Sequence, residues 1–178
     1  MSKKHEQSFL TIMARLFRER NWFYYKIPDT LGMAFTPAKP FDCFISIDGH
    51  LGGVEAKYCD MDPSKTKAGK PKKGASSIGL DNLRDNQHAA LAEVSERGGV
   101  AMVWYEVKLD GEYRLYFWSY DYFKGLCKRH GPKGTTIPRH VLKDLIHDKR
   151  ITDPVGRHAY DLTRLAKDWD ALVMAAIC

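Results

Sequence analysis

Cysteine is scarce in this chain of 178 residues: Cys43, Cys59, Cys127 and Cys178 lie far apart, with no C-x-x-C pair among them. That spacing excludes a zinc ribbon and a secreted disulfide framework, so the four are expected to be reduced thiols. Also missing is any apolar run of about 18 residues. The opening Met1-Ser2-Lys3-Lys4-His5-Glu6 turns charged where a signal peptide would need an apolar stretch, so a cytoplasmic location is expected, with no membrane as partner. No internal repeat or low-complexity linker divides the chain, which predicts a single domain over residues 1–178. The poverty of hydrophobic side chains that marks disorder is absent too: 44% of residues are hydrophobic, 12% are aromatic and four are Trp. A domain of this size can bury most of its apolar surface without a metal or disulfide staple.

What the chain does have is an uneven charge. The formal net charge is +6, but the sign alternates along the sequence. Residues 60–79 hold five basic and two acidic side chains, 80–123 four and eight, and 124–150 eight and two. The 60–79 segment contains one large aliphatic residue, Ile78, and reads as a mobile loop whose Lys65, Lys67, Lys70, Lys72 and Lys73 are candidate phosphate contacts. The basic 124–150 block, with Lys124, Lys128, Arg129, Lys133, Arg139 and Lys143, is either a second phosphate-binding surface or a solvated helical face.

Apolar periodicity predicts a first amphipathic helix from about Lys4 to Arg20 and a short aromatic strand over Trp22 to Ile27. Asp48-Gly49 favours a two-residue turn between strands at Phe41 to Ile47 and Leu51 to Tyr58. A second helix, with Leu80, Leu83, Gln87, Ala90, Leu91 and Val94 on one stripe, should stop at Gly98-Gly99. A second hairpin, Val100 to Lys108 and Tyr113 to Ser119, turns at Asp110-Gly111, and helices are predicted at 120–129, 138–147 and 162–177. The fold class expected is α/β: one domain with a mixed central β-sheet flanked by helices, a core of about residues 1–119 and a helical extension over about 120–178.

The chemistry is concentrated in Pro40-Phe41-Asp42 and Val54-Glu55-Ala56-Lys57. With Asp48-Gly49 as the turn, Ile47 pairs with His50 and, further along the ladder, Asp42 falls opposite Glu55 with Cβ atoms about 5 Å apart. Lys57 projects from the same face as Glu55. A bulge at Gly52-Gly53 would shift this register. Opposed like charges destabilise a ladder unless a divalent cation compensates. Two carboxylates and the Ala56 carbonyl form a hard-oxygen set suited to Mg²⁺, with Mn²⁺ as a substitute. Lys57 then serves a metal-activated water or the charge developing on a phosphate. Gln87 lies within an apolar stripe and needs a polar partner, and Glu6 continues the stripe of Phe9, Met13, Leu16 and Phe17 toward its helix start.

Taken in order, Glu6, Asp42, Glu55-Ala56-Lys57 and Gln87 resemble the PD-(D/E)xK nuclease superfamily. From Asp42 to about Tyr105 the chain is similar to RecU-type Holliday junction resolvases, with Asn82-Leu83-Arg84-Asp85-Asn86-Gln87-His88 and Gly98-Gly99-Val100 following E-A-K. The resemblance implies a restriction-endonuclease-like nuclease core and a homodimer, from a phage or bacterium, that nicks four-way DNA junctions. It further implies Mg²⁺ on Asp42 and Glu55, Lys57 at the attacking water, and Gln87 and Glu6 completing the site. The sequence departs from the family in two ways: the long basic stalk before the aspartate is missing, and the proline stands one residue early. Two other functions fit the same residues: a restriction or repair nuclease cutting duplex DNA, and a non-catalytic DNA-binding protein whose acidic residues are structural.

Overall fold

A computed structural model describes residues 3–28, 39–65, 71–131, 134–152 and 155–177. The predicted first helix is α1 (Lys3–Glu19), which turns Phe9, Leu10, Met13, Leu16 and Phe17 inward and leaves Gln7, Thr11 and Arg18 exposed. The strands follow as β1 (Phe23–Lys26), β2 (Cys43–Ile47), β3 (His50–Asp60), β4 (Ser64–Lys65), β5 (Pro71–Lys72) and β6 (Ser77–Gly79). Helix α2 (Asp85–Glu96) leads to β7 (Val100–Leu109), β8 (Glu112–Ser119) and α3 (Tyr120–His130). The chain ends with β9 (Thr136–Pro138), α4 (Arg139–Asp144), β10 (Asp148–Thr152), β11 (His158–Tyr160) and α5 (Thr163–Ile177).

Seven strands form the central sheet in the order β1-β2-β3-β7-β8-β10-β11. All neighbours run antiparallel except β3 and β7, which are parallel and joined by the crossover carrying α2. The sheet is therefore mixed and covered on both faces, as expected. One face packs Ile45, Val54, Ala56 and Trp104 against Phe9, Met13 and Phe17 of α1 and Trp169 of α5. The other packs Phe41, Val103 and Tyr105 with Leu91 of α2, Phe123 of α3 and Leu142 of α4. Alternation along β3 thus sends Val54 and Ala56 to the α1 face and Glu55 and Lys57 to the α2 face.

Both predicted hairpins form. Asp48 and Gly49 have φ of 50° and 83°, and Asp110 and Gly111 have 53° and 80°, the paired left-handed conformation that a tight two-residue turn requires. The register runs from Ile47 opposite His50 to Cys43 opposite Val54 without slipping at Gly52-Gly53.

The expected helical extension over 120–178 is corrected. Strand β10 pairs with the outer edge of β8 and β11 pairs with β10, so the C-terminal third enlarges the central sheet, while β9 pairs with β6 in a separate two-stranded sheet. Asp148-Lys149-Arg150-Ile151-Thr152 has no strand-like apolar alternation of its own; β8 supplies an edge of unpaired backbone groups, and an ion pair with the buried Glu106 anchors Arg150 there. Helix α4 stops at Asp144 because Leu145 is extended, with ψ of 145°. Helix α2 starts later than predicted: residues 80–82 form a single 3₁₀ turn and Leu83 is extended. Nor is 60–79 simply loop, since β4, β5 and β6 fall within it.

Candidate active site

Among the described residues five polar or charged side chains are buried: Asp42, Glu55, Lys57, Gln87 and Glu106. The first four are among the five residues predicted to carry chemistry, the fifth being Glu6, and these four gather beside β3 just before the start of β2.

Asp42 does not stand in the ladder opposite Glu55. The pairing of β2 with β3 stops at Cys43, and the Asp42 backbone N–H donates to the Val54 carbonyl at 2.9 Å, so Asp42 and Cys43 both face Val54. This is a β-bulge, placed at the aspartate instead of at Gly52-Gly53, and a bulge re-aims its side chain. The Asp42 carboxylate turns along the open edge of β3, where Oδ2 accepts the Ala56 N–H at 2.9 Å. Gly53 permits the close approach. The Phe41 ring lies over it so tightly that a Cβ at residue 53 would stand 2.8 Å from the ring.

Glu55, 1% exposed, is held on one oxygen only. Its Oε1 accepts from Lys57 Nζ at 2.5 Å and from Gln87 Nε2 at 2.6 Å. Gln87 sits in the first turn of α2, where its Oε1 accepts the Arg84 N–H at 2.9 Å and faces Lys57 Nζ at 3.4 Å. One amide therefore caps the helix and fixes both Glu55 and Lys57. This supplies the polar partner that its place within the stripe required. The other carboxylate oxygen, Glu55 Oε2, is buried and has no hydrogen-bond partner among the described residues. Burial, the Asp42 charge and a smaller effect of Glu6 push the Glu55 carboxyl up to about 7, against the opposing pull of Lys57.

Glu6 is partly buried at the start of α1, which packs on the opposite face of the sheet from Lys57 and Gln87. It reaches the site through its charge on Glu55. Among the described residues no three His, Cys, Asp or Glu side chains stand close enough to share a metal ion. A cation here would therefore rest on Asp42, Glu55 and backbone oxygen.

Of the candidate phosphate contacts, Lys67 and Lys70 lie outside the described residues, Lys65 and Lys72 fall in the short strands β4 and β5, and Lys73 is exposed. In the 124–150 block five basic side chains have acidic partners, while Lys128 and Arg129 are exposed and Arg129 donates to the Gly125 carbonyl. Lys124 pairs with Asp121, Arg139 and Lys143 with Asp110, Lys149 with Glu112 and Arg150 with Glu106. Lys133 lies outside the described residues.

Three further polar residues stand out only once the chain is folded. Lys39 Nζ approaches Asp42 Oδ1 at 2.7 Å, and Asn86 Nδ2 donates to the Lys39 carbonyl at 2.8 Å. The sequence signal for both is proximity to Asp42 and Gln87. Glu106 is fully buried on the α1 face, where its Oε1 meets Arg150 and accepts from the Tyr160 hydroxyl at 2.5 Å. A lone acid inside the apolar run of β7 is its signal.

No protein family matches the chain by sequence, and no curated protein does. Among solved structures, it is similar to Hjc, a Holliday junction resolvase from the archaeal hyperthermophile Archaeoglobus fulgidus, with a TM-score of 0.47 and 12% sequence identity over 79% of this chain and 94% of that one.

Proposed function

We propose that this protein is a Mg²⁺-dependent, structure-selective DNA endonuclease that resolves four-way junctions by phosphodiester hydrolysis. The observation that carries the reading is the buried, partly unsatisfied constellation of Asp42, Glu55, Lys57 and Gln87, set into a largely apolar core. Structural ion pairs are usually exposed, and a buried carboxylate oxygen without a donor is expensive unless something occupies it. A hard cation suits it. Glu55 Oε2 and Asp42 Oδ1 would hold the ion, and the Ala56 carbonyl lies on the same strand edge as the amide that Asp42 accepts. When bound, Mg²⁺ supplies Lewis acidity and lowers the pKa of a coordinated water.

The chain's own residues do the rest. Gln87 keeps Glu55 Oε1 and Lys57 Nζ in one arrangement, so Oε2 stays directed away from the pair. Lys57 presents the remaining ammonium N–H groups toward an attacking water or a non-bridging phosphate oxygen, where negative charge grows in the transition state. Lys73, exposed in the sequence segment that follows β3, supplies a phosphate contact. Glu6 adds negative charge beside Glu55, which favours cation uptake.

Purified protein incubated with a labelled four-way junction, a linear duplex and a flap, each with Mg²⁺ or EDTA, tests the proposal. Junction cleavage that requires Mg²⁺ is expected. Glu55→Gln and Lys57→Met should each lower the rate by about 10²-fold or more while junction binding in Ca²⁺ persists. Duplex cleavage equal to junction cleavage would identify a duplex-cutting nuclease instead. Absence of cutting on every substrate, with binding intact, would leave a DNA-binding protein.

A further inference from the structure

Asp42 has a cation as its second partner. While Oδ2 accepts the Ala56 N–H, Oδ1 lies 2.7 Å from Lys39 Nζ, and the lysine side chain is only 16% exposed. The backbone of Lys39 is tied down from α2 through Asn86. The two carboxylates are therefore dressed differently. Among the described residues Glu55 keeps a buried oxygen without a donor, whereas the second oxygen of Asp42 is covered by an ammonium.

We infer that Lys39 is a positioning residue that occupies the metal-facing oxygen of Asp42 until a divalent cation replaces it, and that its ammonium then passes to a DNA phosphate. The inference rests on the reading of Asp42 and Glu55 as a cation site. An ammonium and a divalent cation cannot both approach one carboxylate oxygen closely, since like charges would be brought together inside a low-dielectric site. The two compete, and whatever draws Lys39 away raises the apparent affinity for the cation. A phosphate delivered beside the carboxylates is the nearest anion able to do so. With the Lys39 carbonyl held by Asn86, only the side chain has to move. DNA and cation binding are then coupled through one lysine, and by linkage each tightens the other by the same factor. In the absence of DNA the lysine keeps Asp42 in its bulged position and limits the repulsion between the two carboxylates.

Calorimetric titration with Ca²⁺, in the presence and absence of a four-way junction, tests this on the full chain. Lys39→Met should bind Ca²⁺ about fivefold more tightly than wild type without DNA, the size expected for removing one partly exposed competing ion pair. The extra tightening that DNA produces should shrink by a similar factor. An unchanged or weaker affinity in a variant with wild-type circular dichroism overturns the inference. If Lys39→Met fails to fold, Lys39→Arg gives the opposite sign. Its forked guanidinium grips a carboxylate more firmly, so Ca²⁺ should bind several-fold more weakly, and an unchanged affinity again refutes the exchange. Wild-type protein that takes up no Ca²⁺ with or without DNA would overturn the cation site itself, an outcome distinct from failure of the lysine exchange.

Discussion

Glu55 and Asp42 are coupled at the scale of single residues. Burial raises the Glu55 carboxyl first and the Asp42 charge raises it further, to about 7 from an ordinary 4.5. Asp42→Asn retains an acceptor for the Ala56 amide but removes the charge, so the Glu55 value should fall, a change that carboxyl-resolved NMR titration would detect. The linked stability has a definite sign. Between about 4.5 and about 7 the folded, cation-free protein holds a proton that the unfolded chain releases, so stability should decrease as pH rises through that window. Urea midpoints measured across it should flatten in Glu55→Gln. The residue types of this site are legible in the amino-acid sequence because E-x-K beside an aspartate and a polar residue within an apolar stripe are local signals. The orientation of Asp42 is not, because the bulge depends on how Phe41 seats over Gly53.

Turns and strands separate into those written locally and those imposed by neighbours. Asp48-Gly49 and Asp110-Gly111 carry their own conformational preference, and both hairpins follow from it. Strands β10 and β11 do not, since their pairing depends on the free edge of β8 and on Arg150 reaching Glu106 from 44 residues away in sequence. The Arg150 guanidinium also stacks on the Tyr113 ring, 3.7 Å from its centroid. Removing it in Arg150→Ala leaves Glu106 buried with an uncompensated charge and should cost about 3–5 kcal/mol, read from chemical denaturation. Glu106→Gln together with Arg150→Met should recover part of that loss, because no buried charge then remains.

Across the whole molecule the alternation of charge has two uses. The acidic 80–123 segment neutralises much of the basic 124–150 block through pairs such as Lys143 with Asp110 and Lys149 with Glu112. Such exposed pairs add little stability, but they withdraw those cations from the surface available to a polyanion. The 60–79 segment holds five lysines against two acidic residues, and Lys73 is exposed. Lys73→Ala should therefore lower the slope of log affinity for DNA against log salt by about one, and Lys143→Ala should leave the slope unchanged, as fluorescence anisotropy over a salt series would measure. Turn chemistry, apolar periodicity and misplaced charge act over a few residues, so the mixed α/β class, the hairpin register as far as Cys43 opposite Val54 and the residue types of the buried polar quartet follow from the amino-acid sequence alone. That the C-terminal third joins the sheet, that Asp42 turns along the strand edge and that Lys39 covers its second oxygen are settled in the folded molecule, because each depends on which distant surfaces meet.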